Sequence, residues 1–309
     1  MVVLVTGANG QLGQAIQSIA GNYPSIDFVF CSSSDLDITN KENCEIVFEK
    51  HQPQFCINAA AYTAVDKAES EPEKAFAINV TGAQHIAEVC KSYNTVLLHI
   101  STDFVFDAKF EDGIAYYDSQ LRLPLKSNKG LVETDVPFPA GIYGLTKLQG
   151  EQAIQATWEK HFIIRTSWVY SQFGHNFMKT MLRLASERTV LSVVADQIGT
   201  PTNAVDLAEV LVKIITFYHA ETTSCHAEFS SASHYGIYNF SNEGQCSWYD
   251  FAKEIFRINN ISINLQPIPT SAYPTPAKRP AYSVLDKTKI KAVFGVEIKD
   301  WEDSLITVK

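Results

Sequence analysis

Tyr143 and Lys147 stand four residues apart in the sequence Tyr-Gly-Leu-Thr-Lys. On a helix, residues i and i+4 share a face, so this spacing places an ammonium group beside a phenol. A positive charge favours the phenolate, and we expect Lys147 to lower the pKa of Tyr143 from its ordinary value of about 10. Such a tyrosine can serve as the general acid for a carbonyl oxygen that receives a hydride.

A hydroxyl group precedes this pair at the end of a predicted strand. Thr102, in Ser101-Thr102-Asp103, follows an apolar run, and ligands of open parallel sheets lie beyond the carboxyl ends of the strands. We expect the Thr102 hydroxyl to hydrogen-bond the same carbonyl oxygen. The Tyr-x-x-x-Lys spacing recurs at Tyr249 and Lys253, where no strand ending in Ser or Thr precedes it. We interpret that second copy as part of an ordinary amphipathic helix.

Three glycines, Gly7, Gly10 and Gly13, follow the first predicted strand and open the first predicted helix. A tight strand-to-helix turn needs residues that tolerate positive φ, and a diphosphate needs bare backbone at the positive end of a helix. The last glycine permits close packing of the helix. The alternative is a plain glycine turn, but a strand before and an amphipathic helix after are the context of a dinucleotide site. We predict that a dinucleotide binds here.

The second predicted strand ends in residues 30–34, Phe-Cys-Ser-Ser-Ser. NAD-specific sites usually carry an acid at this point for the ribose 2′-hydroxyl. No carboxylate stands within this stretch, although Asp35 and Asp37 follow it. The small hydroxyl residues leave room for a 2′-phosphate, but no arginine is present to bind one. We expect NADPH ahead of NADH, and the use of both stays open.

Short apolar runs alternate with helix-like stretches, and these elements must position the residues above. Strands are predicted over residues 2–6, 28–31, 55–58, 95–101 and 161–170, and helices over residues 12–20, 44–51, 75–92 and 144–158. This alternation predicts βαβ units and a parallel sheet with helices on both faces. The fold class that follows is α/β, a Rossmann-type doubly wound parallel sheet with a smaller C-terminal α/β substrate domain.

The chain has 309 residues, of which 46% are apolar, and a formal net charge of −9. This length exceeds what one core usually holds, so we expect two domains. Residues 1–170 are assigned to the dinucleotide-binding domain, with residues 203–218 packing back onto it. Residues 171–202 and 236–309 are assigned to the substrate domain. The polar residues 107–141 are interpreted as a long surface excursion, and residues 219–235 as a second polar insert.

Composition also excludes several classes of partner and site. The acidic balance argues against nucleic acid as a partner. The sequence shows no signal peptide and no apolar stretch long enough to span a membrane, so we expect a cytoplasmic protein with no membrane partner. The six cysteines form no Cys-x-x-Cys pair, and we expect reduced core thiols rather than disulfides or zinc.

Several motifs together resemble the extended short-chain dehydrogenase/reductase family, and more narrowly its dTDP-4-dehydrorhamnose reductases. The stretches that carry the resemblance are residues 5–13, 36–39, 57–69, 101–107, 143–151, 165–170, 196–202 and 273–280. The last three are more specific than the glycine turn, because generic dehydrogenases do not share them.

The resemblance implies NADPH- or NADH-dependent reduction of the 4-keto group of dTDP-4-dehydro-L-rhamnose to dTDP-L-rhamnose. It implies that Tyr143 donates the proton and that Lys147 tunes it and holds the nicotinamide ribose. The cofactor-binding residues implied are Gly7, Gly10, Gln11, Leu12 and Gly13 at the diphosphate, Asp37 and Ile38 at the adenine, and Ala61, Tyr62 and Thr63 after the third strand. The implied substrate contacts are Thr102, Asp103 and Trp168, although Trp168 also has a simpler interpretation as a core residue.

Our own inference adds Arg279 as the cation for the substrate diphosphate; the alternative is a surface arginine between prolines. Some family members bind magnesium at a dimer interface through carboxylates, and the corresponding positions here are Ala15 and Val205. Neither side chain can ligate a hard cation, so we expect no structural magnesium. A homodimer stays possible but is not assumed. Residues 107–133 and 219–235 are longer than is usual in the family.

Two alternatives to this function stay open. One is a reductase or epimerase of another 4-keto sugar nucleotide, since such enzymes share the glycine turn and the Tyr–Lys pair. The other is a non-catalytic NADP-binding regulatory subunit, of the kind that serves methionine adenosyltransferase. The presence of Thr102, Tyr143 and Lys147 together argues for catalysis, because a binding protein has no physical need for all three.

Overall fold

The computed structural model describes residues 1–107, 109–111, 114–118, 123–124, 129–223 and 234–308. The strands are β1 (Val2–Thr6), β2 (Asp27–Cys31), β3 (Phe55–Asn58), β4 (Val96–Thr102), β5 (Lys109–Glu111), β6 (Ile114–Asp118), β7 (Leu123–Pro124), β8 (His161–Thr166), β9 (Val169–Tyr170), β10 (Val190–Val194), β11 (Ile198–Gly199), β12 (Thr202–Asn203), β13 (Gly236–Asn239), β14 (Cys246–Ser247) and β15 (Asn264–Ile268).

The α-helices are α1 (Gln11–Ala20), α2 (Lys41–His51), α3 (Val65–Ala68), α4 (Pro72–Phe76), α5 (Ala83–Ser92), α6 (Ile142–Thr157), α7 (Phe177–Glu187), α8 (Ala204–Thr223), α9 (Trp248–Ile258), α10 (Thr288–Phe294) and α11 (Trp301–Ile306). A π-helical turn covers Ala77–Gly82, and 3₁₀ turns cover Asp103–Val105 and Thr270–Ala272.

Among the described residues, six parallel strands form the main sheet in the order β2-β1-β3-β4-β8-β13. The chain moves outward from β1 to β2 and then returns to the other side of β1 for β3. This reversal creates a switch point between β1 and β3, where ligands of doubly wound sheets bind. The predicted Rossmann-type parallel sheet is confirmed, and all residues of β3 and β8 are buried, as expected of strands covered on both faces.

Two hydrophobic clusters cover the two faces of this sheet. One includes Ile16 of α1 and Leu211 of α8, and the other includes Phe48 of α2 and Ile86 of α5. Helix α8 therefore packs beside α1 on the main sheet. Burial of each such side chain contributes roughly 1.5–3 kcal/mol to folding.

A third cluster lies apart from the main sheet and joins α7, α9 and α11, with Met181, Phe251 and Leu305 among its buried members. We propose that this cluster is the core of the smaller domain. One segment that we assigned to that domain lies elsewhere: Gly236–Asn239 forms β13, the edge strand of the main sheet, because it pairs in parallel with β8.

Three predicted elements differ from the structure. The helix expected over residues 75–92 is broken by the π-helical turn, because Asn79 turns inward to bond the backbone of Tyr62. The strand expected over residues 161–170 ends at Thr166, and Trp168 then takes a positive φ of 46°. The excursion expected over residues 107–141 contains β5, β6 and β7, which pair as a small antiparallel sheet. The remaining residues of that excursion up to 128, and most of 219–235, lie outside the described residues.

In the described part of the chain, Cys31, Cys44, Cys56, Cys90 and Cys246 are buried and free, which confirms the expectation of core thiols for these five. Cys225 lies outside the described residues. None of the described helices is both long enough and apolar enough to cross a membrane.

Candidate active site

The glycine turn joins β1 to α1 at the switch point. Gly7 has a φ of +65°, and a Cβ atom there would lie 2.8 Å from the backbone nitrogen of Ala60. A Cβ atom on Gly13 would lie 2.5 Å from the carbonyl oxygens of both Gly7 and Ala8. The first position therefore needs glycine for its conformation as well as for space, and the last needs it so that α1 can start directly against the turn.

The amino end of α1 has features that suit an anion. Gly10 is the N-cap residue, supplies no side-chain cap, and no acid stands in the first turn. The first backbone N–H groups of a helix lack intrahelical partners and carry the positive end of its dipole. The turn therefore fits a dinucleotide diphosphate. Leu12 is buried in the core, so only its backbone is available to such a ligand.

The side chain of Gln11 leaves the helix and joins it to the segment after β8. Its Oε1 accepts hydrogen bonds from Ser171 and Asn176, both at 2.9 Å, and its Nε2 donates to Val169 O at 3.2 Å. Asn176 is also the N-cap of α7. Gln11 therefore ties the predicted diphosphate site to the start of the smaller domain.

A carboxylate does reach the end of β2, contrary to our interpretation of residues 30–34. Asp35 accepts hydrogen bonds from Ser32 N at 2.9 Å and Ser32 Oγ at 2.5 Å, because the chain turns back after the strand. These bonds hold the pKa of Asp35 below its ordinary range. Asp37 accepts from Thr39 N and Oγ1, and Ile38 is buried against Gly82.

The loop after β3 carries Ala61, Tyr62 and Thr63. Asn79 of the π-helical turn holds this loop by accepting from Tyr62 N at 2.8 Å and donating to Tyr62 O at 3.1 Å. The hydroxyl of Tyr62 donates to Glu71 at 2.9 Å. The backbone of this loop therefore faces the switch point in a fixed conformation.

Helix α6 approaches the end of β4 unusually closely. A Cβ atom on Gly144 would lie 2.1 Å from Phe104 O, and one on Gly150 would lie 2.1 Å from Asn79 O. These two glycines let the helix press against the turns after β4 and before α5. As a result, Tyr143 lies near Thr102 and packs edge-on against Phe104, with ring centroids 5.5 Å apart.

The environment of Tyr143 keeps its phenol protonated. Burial raises its pKa to about 12, the negative charge of Asp103 adds to the rise, and the hydrogen bond with Thr102 opposes it. The expectation that Lys147 lowers this pKa is wrong for this structure. The ammonium of Lys147 lies 2.7 Å from Ile100 O and 3.2 Å from His99 Nε2. Its hydrogen bonds are therefore made to β4 and not to the phenol of Tyr143.

Lys147 ends a chain of buried polar groups that crosses the sheet. His99 Nδ1 lies 3.1 Å from Asn58 Nδ2, and Thr6 Oγ1 donates to Asn58 Oδ1 at 2.7 Å. Burial lowers the pKa of Lys147 to about 8, and the charge of Glu151 opposes the decrease. Polar side chains of the three strands β1, β3 and β4 thus form a continuous series of contacts that ends at the ammonium of Lys147.

A buried ion pair lies one helical turn beyond Lys147. Glu151 accepts from Arg165 Nε at 2.9 Å and from Nη2 at 2.6 Å, and it also accepts from Ser101 Oγ at 2.5 Å. The guanidinium stacks over the ring of Phe106, 5.0 Å from its centroid. This pair fixes α6 to the carboxyl ends of β4 and β8.

Asp103 lies beside Thr102 and Tyr143 and is 2% exposed. Burial raises its pKa to about 7, and hydrogen bonds from Ser283 and Thr102 oppose the rise. Ser283 belongs to the C-terminal segment, so this contact brings that segment to the catalytic candidates.

The C-terminal segment also contacts the loops of the main sheet. Arg279 donates from Nη1 to Asp66 Oδ1 at 2.9 Å and from Nη2 to Oδ2 at 2.7 Å. Lys278 pairs with the buried Asp107. Arg279 therefore lies at the carboxyl edge of the sheet, where it forms an ion pair with Asp66 of α3. Its predicted contact with a substrate diphosphate stays a prediction.

Trp168 reaches the same region from β8. A Cβ atom on Gly199 would lie 2.5 Å from Trp168 Cε2 and 2.8 Å from Ser283 Oγ, which places the indole edge near a serine that lies close to Asp103. The indole stacks on Trp248 with centroids 3.6 Å apart. Its positive φ marks a strained backbone of the kind found at ligand sites. Tyr249, from the second Tyr-x-x-x-Lys sequence, lies on α9. This helix is amphipathic as expected, with Phe251 and Ile255 buried.

Four buried polar residues of the site were not predicted from the sequence: Asn58, His99, Glu151 and Arg165. The first three had a recognisable signal. Asn58 and His99 are polar residues inside otherwise apolar strands, and Glu151 stands four residues after Lys147, on the same helical face. Buried polar groups of this kind need partners, which is the signal that they form a network.

Comparisons with known proteins place the chain in a family. Residues 1–308 match the family model described as RmlD substrate binding domain. The chain is 40% identical to the dTDP-4-dehydrorhamnose reductase of Aggregatibacter actinomycetemcomitans over 315 residues, which cover 99% of this chain and 98% of that protein. The crystal structure of dTDP-4-dehydrorhamnose reductase from Bacillus anthracis in complex with NADP has a TM-score of 0.85 and 37% identity, covering 98% of this chain and 96% of that one.

A more distant likeness concerns the fold alone. The UDP-glucose 4-epimerase of Thermus thermophilus in complex with NAD has a TM-score of 0.75 and 20% identity, over 99% of this chain and 97% of that chain.

Proposed function

Because the chain belongs to the RmlD substrate binding domain family, we propose that it is an NAD(P)H-dependent dTDP-4-dehydrorhamnose reductase, an oxidoreductase of dTDP-rhamnose biosynthesis. Its substrate would be dTDP-4-dehydro-L-rhamnose, whose 4-keto group is reduced to give dTDP-L-rhamnose. The observation that carries the proposal is the placement of the buried Tyr143 phenol next to Thr102 and Asp103 at the carboxyl end of β4, the edge of the sheet that also carries the glycine turn.

The glycine turn, the α1 amino end and the loop after β3 would hold the cofactor. Gly7, Gly10 and Gly13 shape the turn before α1, whose first backbone N–H groups would bind a diphosphate, and Ala61, Tyr62 and Thr63 follow the neighbouring strand β3. A bound nicotinamide supplies the hydride. We propose NADPH ahead of NADH, in line with the relative crystallised with NADP.

Residues of α6 and β4 would supply the proton and hold the carbonyl oxygen. Tyr143 holds a proton on its phenol oxygen at neutral pH, since its pKa is raised to about 12, and would donate it to the carbonyl oxygen. Thr102 would fix that oxygen through its hydroxyl. The ammonium of Lys147, one turn away, would stabilise the tyrosinate that remains after the proton has left.

Four residues would recognise the sugar nucleotide. Asp103 lies beside Thr102, and Trp168 reaches Ser283 next to Asp103. Arg279 stands at the same edge of the sheet and would contribute positive charge towards a diphosphate, although it shares that charge with Asp66. This arrangement favours a charged, hydroxyl-rich substrate over an apolar ketone.

The test is oxidation of NADPH or NADH with dTDP-4-keto-6-deoxyglucose generated in place, with and without a 3,5-epimerase. Turnover that requires the epimerase and yields dTDP-rhamnose is the expected result. Turnover without the epimerase would assign another 4-keto sugar nucleotide. Tight cofactor binding without turnover on either substrate would favour a regulatory subunit instead.

A further inference from the structure

We propose that His99 is a positioning residue for Lys147, acting as a neutral acceptor that holds the buried ammonium without cancelling its charge. The role rests on the proposed reductase function for its kinetic consequence, but the hydrogen-bonding state of His99 can be measured without any substrate.

Among the described residues, His99 is the one residue of β4 whose side chain hydrogen-bonds Lys147. His99 is 1% exposed and Lys147 is 2% exposed. His99 Nε2 lies 3.2 Å from Lys147 Nζ, and the carbonyl of the next residue, Ile100, accepts from the same ammonium at 2.7 Å. Two adjacent acceptors on one strand therefore fix where the ammonium lies along α6.

The protons on this pair can be assigned from donor and acceptor counts. An ammonium has three N–H donors and no lone pair, so His99 Nε2 must accept from it. A neutral imidazole that accepts at Nε2 carries its hydrogen on Nδ1. Burial keeps the imidazole neutral, since it depresses the pKa of His99, and the charge of Lys147 depresses it further. We therefore infer the Nδ1–H tautomer of His99.

Asn58 completes the assignment from the other side. Its amide lies 3.1 Å from His99 Nδ1 and 2.7 Å from Thr6 Oγ1. A half turn of the amide exchanges its oxygen and nitrogen without moving other atoms. With the oxygen towards His99 and the nitrogen towards Thr6, the amide accepts from His99 Nδ1–H and donates to Thr6 Oγ1, and this replaces the donation from Thr6 to Asn58 Oδ1 described above. An amide transmits no proton easily, so Asn58 would hold the tautomer rather than relay protons.

The surrounding charges explain why a neutral acceptor matters. Glu151, on the same helix as Lys147, already has Arg165 of β8 as its partner, and His161 of β8 is the other titratable group that acts on His99. Asp103, beyond β4, acts on Tyr143 rather than on Lys147. A carboxylate in place of His99 would neutralise the ammonium, whereas the neutral imidazole holds Lys147 without compensating its charge.

Two substitutions distinguish the contribution of His99 Nε2 from that of His99 Nδ1. In His99→Gln, the amide can reach the position of Nε2 and offer an oxygen to Lys147. In His99→Asn, the shorter amide reaches only the position of Nδ1 and keeps the contact with Asn58. Both variants bury one amide, so they are matched in polarity and differ in which neighbour they serve.

The kinetic readout is the pH dependence of kcat. We expect kcat of the wild type to fall as Lys147 loses its proton, near its pKa of about 8. His99→Asn removes a hydrogen bond from the ammonium, so its alkaline limb should move down by about 1–2 pH units. His99→Gln should keep the wild-type limb. An unchanged limb in a folded His99→Asn protein, or equal shifts in both variants, would overturn the role.

The direct readout is the tautomer of His99 in the wild-type protein. Long-range ¹⁵N–¹H spectra of histidine-labelled enzyme, with the His99 signal assigned from its loss in His99→Gln, distinguish Nδ1–H from Nε2–H. The Nδ1–H tautomer is expected between pH 6 and pH 7, below the titration of Lys147. An Nε2–H tautomer or an imidazolium there would overturn the proposal even if both variants fail to fold. If the enzyme lacks turnover on the proposed substrate, this spectrum still decides the state of His99.

Discussion

Glu151 and Arg165 form a two-pronged ion pair in which each side chain is only 1% exposed, one helical turn from Lys147. Since α6 carries Glu151 and β8 carries Arg165, the pair joins the catalytic helix to the sheet. Ser101 donates to the same carboxylate, which adds β4 to the connection. The position of the Tyr143–Lys147 face therefore depends on a buried polar contact as well as on apolar packing.

Loss of one partner of this pair should be costly. Glu151→Gln leaves the guanidinium of Arg165 without its countercharge in the interior, and we expect the free energy of unfolding to fall by about 3–5 kcal/mol. The matched control is Arg183→Gln in the exposed pair with Glu187, where we expect a change below about 0.5 kcal/mol. Urea unfolding measures both, and similar small effects would contradict the structural role of the buried pair.

Tyr143→Phe should retain cofactor binding and lose turnover. The phenyl ring keeps the packing on Phe104, but no proton is available, so we expect kcat to fall by about 10²–10⁴-fold. Tyr249→Phe is the control, because Tyr249 shares the Tyr-x-x-x-Lys spacing and lies on α9. Steady-state kinetics and NADPH titration check the pair of variants, and equal turnover in both would refute the role of Tyr143.

Asp103 should destabilise the fold above neutral pH. Its pKa is 3.8 in an ordinary setting and about 7 in the folded protein, so the folded state binds more protons between these values. Stability contributed by the protonated carboxyl is therefore present below pH 4 and lost as the pH rises through 7. We expect Asp103→Asn to be more favourable at pH 8 than at pH 4.5 by about 3 kcal/mol, because the cost of burying the amide is the same at both pH values and cancels in the difference.

The control for this prediction is Asp303→Asn on α11, where the side chain is exposed. Its effect on the free energy of unfolding should be the same at both pH values. A pH-independent effect of Asp103→Asn, measured by urea unfolding in the same buffers, would show that the carboxyl ionises normally in the fold.

Gly13→Ala should weaken both the fold and the cofactor site. The added methyl would lie 2.5 Å from two carbonyl oxygens, and we expect a loss of about 1–3 kcal/mol in stability together with weaker NADPH binding. Gly21→Ala, at the other end of α1, meets nothing within 4 Å and has ordinary helical φ. There we expect unchanged binding and a gain of about 0.4–1 kcal/mol. Thermal unfolding and NADPH titration distinguish these outcomes, and normal binding by Gly13→Ala would count against the diphosphate site.

Asp35 should limit the affinity for a 2′-phosphate, because its carboxylate lies against Ser32 at the end of β2. Asp35→Asn removes a negative charge from this point, and we expect the ratio of the NADH Kd to the NADPH Kd to rise by about 5–10-fold at low salt. Asp27→Asn, at the opposite end of the same strand, removes the same charge and should leave the ratio unchanged. Equal ratios for the two variants would place the adenosine ribose elsewhere.

The sequence alone determined the fold class and the location of the site. The apolar runs, the glycine turn and the Tyr143–Lys147 spacing are local patterns, and each follows from contacts between residues close in the chain. They were enough to predict the parallel sheet and its carboxyl edge. The membership of β13 in that sheet was not predictable in this way, because its short run Gly-Ile-Tyr-Asn resembles many loop segments.

Only the tertiary structure decided how the site is held and charged. The partners of Lys147 come from β4, those of Glu151 from β4 and β8, and that of Arg279 from α3, at separations of 14 to 213 residues. A lysine beside a tyrosine in sequence suggested a lowered pKa, but burial and the competing acceptors on β4 reversed it. Electrostatic interactions depend on distance in space and on the exclusion of water, and neither is encoded by spacing along one helix.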